Sequence, residues 1–230
     1  MNNPWNELPS APPYILPRDQ RSLVNLAAVR INDRAIPEPF IGNPHSAAVV
    51  LLSLNPGDSP GDAEAHKRVP VRNSMLRNLC HNAGEEYPFY SLNPDPDFAT
   101  TPCANWWIRH LHELIDKDKG GLDRRTVARH LCVIEWFPYH SLGTDGLPET
   151  FICPSQMYSF DLARRALATA QLVVGMRGQT RWQNVDKRLG EIPYLKNPRN
   201  PTVSIGNTPV DEAGRPLFWR IVSALRNGHQ

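Results

Sequence analysis

The chain has 230 residues, a formal net charge of +2, 40% hydrophobic and 21% charged residues, a composition that excludes disordered and fibrous classes. No apolar stretch approaches the roughly 20 residues that cross a bilayer, so a cytoplasmic protein without a membrane partner is expected, and the polar segment 1–18 carries no signal-peptide core. The 23 prolines are about twice the usual share and lie scattered between apolar segments, which predicts many fixed loops. Cys80, Cys103, Cys132 and Cys153 stand far apart with no Cys-x-x-Cys pair. They read as reduced structural thiols, and neither a metal nor another cofactor is expected.

Residues 1–46 read as an irregular lead-in, and residues 47–230 as one α/β domain. Within the lead-in, Arg21 to Leu26 suits a short helix, while Pro37 and Pro39 make Ile36 to Gly42 extended or turning. The apolar run from Ala47 to Leu52 then predicts a strand covered on both faces, as in a parallel sheet. It stops at Asn55-Pro56-Gly57, where Pro56 lacks a backbone donor and Gly57 admits angles closed to other residues. That carboxyl edge is where open α/β sheets bind ligands.

A Gly/Pro-rich loop from Asp58 to Asp62 leads to a helix running through Met75 to Cys80. Residues 83–103 hold Pro88, Pro94, Pro96 and Pro102 and form a surface excursion. A helix over Asn105–Ile115 places Trp107, Leu111, Leu114 and Ile115 on one face. The second buried strand spans Leu131–Phe137 and ends at Pro138-Tyr139-His140. Residues 154–170 form a helix with Phe160, Ala163, Leu167 and Ala170 inward, and the third strand, Leu172–Met176, runs into Arg177-Gly178-Gln179. A short helix over Thr180–Leu189 precedes a fourth strand at Thr202–Ile205, which stops at Gly206-Asn207. The last helix begins near Pro216, with Leu217, Ile221 and Leu225 along its seam.

Strands separated by helices predict a three-layer α/β sandwich with a central, mainly parallel four-stranded sheet. Right-handed crossovers then bring Asn55, Tyr139, His140, Gln179 and Asn207 to one cleft. Each has a plainer alternative: a turn cap for Asn55 and Asn207, and packing against a helix for Tyr139 and His140. Asp58 and Asp62 suit metal binding or water polarisation, but two carboxylates in such a loop are usually solvated. His110 and His112 are two apart, the wrong spacing for paired helical metal ligands. Trp106 and Trp107 read as core and rim. Residues 161–230 carry eleven Lys/Arg against five Asp/Glu. Arg177, Arg181, Lys187 and Arg188 in that third either meet phosphates or line a solvated helix start.

Ser53-Leu54-Asn55-Pro56-Gly57 after the first core strand resembles the first motif of the uracil-DNA glycosylase superfamily, closest in spelling to its mismatch-specific branch. Pro37-Glu38-Pro39-Phe40, followed by Ala48-Val49-Val50-Leu51, is similar to bacterial members. Pro138-Tyr139, Gly178, Asn207 and the Pro216-Leu217-Phe218 helix follow in that superfamily's order, so the similarity spans residues 36–226, though only Asn-Pro-Gly is specific. The resemblance implies a monomer that acts on DNA without cofactor or metal, holding a flipped base at the sheet edge. It assigns Asn55 to orienting the attacking water and Asn207 to stabilising charge on the departing base. Leu54, Pro56, Gly57, Tyr139, His140 and Gln179 would line the base pocket. The second motif departs from the family pattern, reading Asn207-Thr208-Pro209-Val210, and Glu135-Trp136 stands where an Asn often reads the pyrimidine edge. Those departures suit the alternative, a binding module for a nucleotide or nucleic acid that keeps the fold without the chemistry.

Overall fold

A computed structural model describes residues 2–24, 26, 29–81, 84–169 and 171–228 of the chain. Asn25 of the expected lead-in helix and the expected inward position Ala170 lie outside them. Four strands, β1 (Phe40–Ile41), β2 (Val49–Ser53), β3 (Leu131–Glu135) and β4 (Leu172–Gly175), form one sheet in the order β1-β3-β2-β4. The helices are α1 (Gln20–Leu23), α2 (Asp62–Ala65), α3 (Val69–Leu79), α4 (Pro96–Ala99), α5 (Pro102–Ile115), α6 (Arg124–His130), α7 (Gln156–Ala168), α8 (Gln179–Val185), α9 (Lys187–Glu191) and α10 (Leu217–Asn227). None is long and apolar enough to cross a membrane.

The central strand explains the layering. Every residue of β2 is buried, and it pairs in parallel with β3 on one side (Leu51 opposite Val133) and β4 on the other (Leu51 opposite Val174). α7 packs along β2, β3 and β4, and α10 packs on β2. α10 does so through Leu217, Phe218, Ile221, Val222 and Leu225, a helical stripe that is buried throughout. Local chemistry sets the helix starts. Thr101 caps α5 by accepting from the Ala104 amide (3.1 Å), with Pro102 at the first helical position, and Asp123 caps α6 by accepting from Thr126 N (2.8 Å).

The sheet is mixed, which corrects the expected mainly parallel sheet. β1 runs antiparallel to β3, with Phe40 opposite Ile134, and it comes from the segment read as an irregular lead-in. The expected strand at Thr202–Ile205 does not form. Its amides are drawn to α5 instead, Val203 N donating to the His110 carbonyl (2.9 Å) and Ile205 N to Glu113 Oε2 (2.9 Å). Pro201 before it and the turn at Gly206 leave too short a run to ladder onto a sheet. The expected helix at Thr180–Leu189 is two short helices broken at Asp186, which is extended and caps α9 through Arg188 N.

β1 ends at Gly42, whose φ is +93° and whose added Cβ would meet the Leu131 carbonyl oxygen at 2.4 Å. Gly42→Ala is therefore expected to lower the unfolding free energy by about 2 kcal/mol or more. Gly143→Ala, where nothing lies within 4 Å, should stay within about 0.5 kcal/mol of the parent. Urea denaturation of the two variants measures both.

Candidate functional site

Because β2, β3 and β4 are parallel, their carboxyl ends meet at one edge, and the chain after each end enters the same hollow. It has a volume of about 300 Å³, at the small end of ligand sites. After β2 come Leu54, Asn55, Pro56 and Gly57; β3 ends on Glu135; after β4 comes Arg177. Trp106 and Trp107 of α5 wall one side, with Trp107 buried and Trp106 half-buried. Trp106 stacks on His110 with ring centroids 4.0 Å apart. The loop Leu142–Asp145 forms part of the lining, and Leu142 is 70% exposed.

Asn55 reaches the pocket because the chain turns sharply there, Gly57 taking the left-handed φ of +68°. Its Nδ2 donates to the Ser141 carbonyl (2.9 Å) and to Ser141 Oγ (3.1 Å). The carboxamide is thus tied on its nitrogen side, and its oxygen is the end left to accept from a ligand.

Three buried carboxyl groups share the hollow. Glu38, from the turn before β1, and Glu135 are almost fully buried, and burial pushes both up to about 8. Both are therefore protonated at neutral pH and able to donate. Tyr90 donates its hydroxyl to Glu38 Oε1. Glu135 Oε2, by contrast, is buried without a hydrogen-bond partner among the described residues, and so is Arg177 Nε. Arg177 stands 5.8 Å over the Trp106 ring. Burial also raises the third group, Asp62, to about 6.

Two histidines adjoin these acids, and Ile36 sets both tautomers. The Ile36 amide donates to His66 Nδ1 (3.0 Å), which puts the His66 proton on Nε2. The Ile36 carbonyl can only accept, so His140 Nε2 (3.1 Å) must carry its proton, leaving a lone pair on Nδ1. Burial lowers His140 to about 4 and His66 well below its ordinary value, so both rings are neutral. Glu38, His66 and His140 come close enough to suggest a metal centre. As they stand, Ile36 engages one nitrogen of each ring and Glu38 keeps its proton at neutral pH.

The structure separates the residues expected around one cleft. Leu54, Asn55, Pro56, Gly57, His140 and Arg177 line the pocket. Tyr139 is buried in the core, donating to Asp19 Oδ2 (2.6 Å) and accepting from Leu16 N (3.2 Å). Gln179 donates to the Gly190 carbonyl (2.8 Å). Asn207 lies in a different hollow and clamps its own loop, accepting from Asn197 N (2.7 Å) and donating to the Thr202 carbonyl (2.8 Å). Arg181 spends its guanidinium on the carbonyls of Thr144, Leu147 and Pro148 and lies 4.6 Å over Trp136. Arg188 pairs with Asp186 at 2.7 Å, and Lys187 reaches Glu191 at 3.8 Å. Glu38, Asp62, Trp106 and Cys103 join the site without having been singled out for it as a group. A visible signal was an acid in an apolar setting: Glu135 closes a buried strand, and Glu38 sits between two prolines.

A native Glu135 that keeps its proton to about 8 holds a proton that the unfolded chain releases above its ordinary 4.5. Stability is then highest below that value and falls as pH rises through about 8. Glu135→Gln removes this dependence, so its stability relative to the parent should grow on the order of a few kcal/mol across that range. Urea titrations at several pH values read the slope, and a difference that stays flat contradicts a protonated native Glu135.

No family model, no curated protein and no solved structure matches this chain.

Proposed function

We propose that this protein hydrolyses the N-glycosidic bond of a base swung out of DNA into the pocket at the carboxyl edge of the sheet. The observation that carries the reading is the pair of buried polar atoms without partners among the described residues, Glu135 Oε2 and Arg177 Nε, in a hollow of about 300 Å³ walled by Trp106. A flat heterocycle with N–H and C=O groups on its edge satisfies both atoms and stacks on the indole. The volume suits one ring system, so the rest of a polymeric substrate stays outside. That is the arrangement a flipped base requires.

The chemistry follows from the groups present. As the bond to the base lengthens, negative charge grows on the base oxygens. Protonated Glu135 and the Arg177 guanidinium are fixed donors in a partly dehydrated site, where such groups stabilise developing charge strongly. Asn55, held by Ser141, offers its carbonyl oxygen as a fixed acceptor at the pocket wall. The spelling around Asn55, similar to the mismatch-specific branch of the uracil-DNA glycosylase superfamily, agrees with this reading. A binding module without turnover is the second reading. It is favoured by Asn207, whose side chain is engaged in its own loop and so supplies no donor to the pocket.

Single-stranded and G·U duplex oligonucleotides containing uracil, incubated with the protein and then treated with alkali, should be cut at the uracil. Asn55→Ala is expected to reduce that cutting by about 10²-fold. Saturable oligonucleotide binding with no cutting above the Asn55→Ala background would select the binding module for these substrates. The rate should also fall as pH rises through about 8, where Glu135 and Glu38 lose their protons; a rate still climbing there would rule out protonated donors.

A further inference from the structure

An amide makes a poor base, so Asn55 cannot take the proton of the attacking water. Asp62, a few residues along, and the distant His140 make a second feature of the same pocket. His140 is 1% exposed and Asp62 is 4% exposed. His140 Nδ1 is buried with no hydrogen-bond partner among the described residues, and its nearest carboxylate is Asp62 Oδ2 at 3.8 Å. Nε2 carries the ring's proton, given to the Ile36 carbonyl, so Nδ1 is an acceptor. The Gly57 carbonyl also approaches this ring, but it too can only accept. Two acceptors thus face each other, too far apart for a direct hydrogen bond and with no proton between them. A water molecule donating one O–H to each would fill that gap.

We propose that Asp62 is the general base of the reaction, receiving the proton of a water held between its Oδ2 and His140 Nδ1. This rests on the N-glycosidase reading above. The water oxygen forms a bond to the sugar C1′ as the C1′–N bond breaks. The electron pair of the broken bond leaves with the base, which takes up a proton from solvent. The water proton passes to Asp62 and returns to solvent when the product leaves. No oxidant, reductant or further reactant enters.

The surroundings suit Asp62 for this role. Burial raises it, the Ser59 amide donating to Oδ2 (2.7 Å) pulls it down, and the charge of Asp58 raises it, leaving it near 6. That value is close to neutral pH, where a general base is most effective. The other groups facing it are His140, neutral above about 4, and Glu38, Tyr90 and Cys103, all held protonated at neutral pH by burial. The backbone carbonyl of Asp62 accepts from His66 N (2.9 Å), which fixes the start of α2. The carboxylate is thus placed by main-chain contacts at both ends of a single turn. Asp58, its neighbour, instead accepts from Asn32 Nδ2 (2.8 Å).

The test is single-turnover release of uracil from oligonucleotide by the full chain and by Asp62→Asn, measured between about pH 5 and pH 8. Asn keeps an oxygen at the Oδ2 position for the Ser59 amide, so the hydrogen bond at the start of α2 is retained. Asp62→Asn should release the base about 10²- to 10⁴-fold more slowly and lose the rising limb that the parent shows near pH 6. Its affinity for the same oligonucleotide should be unchanged, and formate should restore part of the rate to Asp62→Ala. A parent that turns over with an equally active Asp62→Asn overturns the role of Asp62 alone. A parent without base release overturns the glycosidase reading and this proposal with it. If Asp62→Asn does not fold, the parent's profile decides: a rate flat from about pH 5 to pH 7 overturns the proposal.

Discussion

The molecule depends on β2 being hydrogen-bonded in parallel on both edges. A central strand paired with β3 and β4 has its backbone groups satisfied and its side chains free to be wholly apolar. Parallel register has a second effect that antiparallel pairing lacks, because it places the three strand exits side by side. Amides continue the ladder past the strands themselves: Phe137 N donates to the Leu54 carbonyl (2.7 Å) and Met176 N to the Leu52 carbonyl (2.8 Å). The polar segments after β2, β3 and β4 are therefore held to the accuracy of the sheet. Trp182 of α8 adds to this by donating its indole N–H to the Ser53 carbonyl (2.9 Å).

Against that apolar frame, the buried acids are an energetic liability. A carboxyl removed from water stays neutral if nothing compensates its charge. Glu38 and Glu135 both follow this rule, although a tyrosine hydroxyl meets one and a guanidinium lies near the other. Stability alone would favour apolar side chains at both places. Their grouping with Asp62 and a neutral His140 around one hollow is the pattern of a site whose protons are meant to be placed. The single residue Ile36 does much of the placing, since its N–H and C=O each fix one imidazole.

Long apolar runs made β2, β3 and β4 legible, and amphipathic spacing did the same for α5, α7 and α10. The β1 strand was not legible, because a two-residue pairing has no periodicity and sits behind two prolines. Thr202–Ile205 misled for the opposite reason. Its β-branched run has strand propensity, but α5 offered its backbone and Glu113 as partners, and tertiary hydrogen bonding overrode local preference. At the site, Asn55 could be placed because it closely follows a strand, whereas Arg177, read as a phosphate contact or part of a solvated helix start, lines the pocket instead. Asn207 could not, because its location depended on the strand that failed to form. Asp62 looked like one more solvated loop acid. Its burial comes from packing against His140 across a separation of 78 residues, which no local pattern carries.

Arg181 shows what a tally of cations leaves out. Its donors serve the carbonyls of the pocket-side loop, and its flat face covers Trp136, so it acts as a brace between α8 and that loop. A cation spent in this way releases no counterions from a polyanion. The same holds in part for Arg188, neutralised by Asp186. The electrostatic reach of this surface is thus smaller than its formal charge, and any hold on a nucleic acid leans on shape and on the occupied pocket more than on the phosphate field.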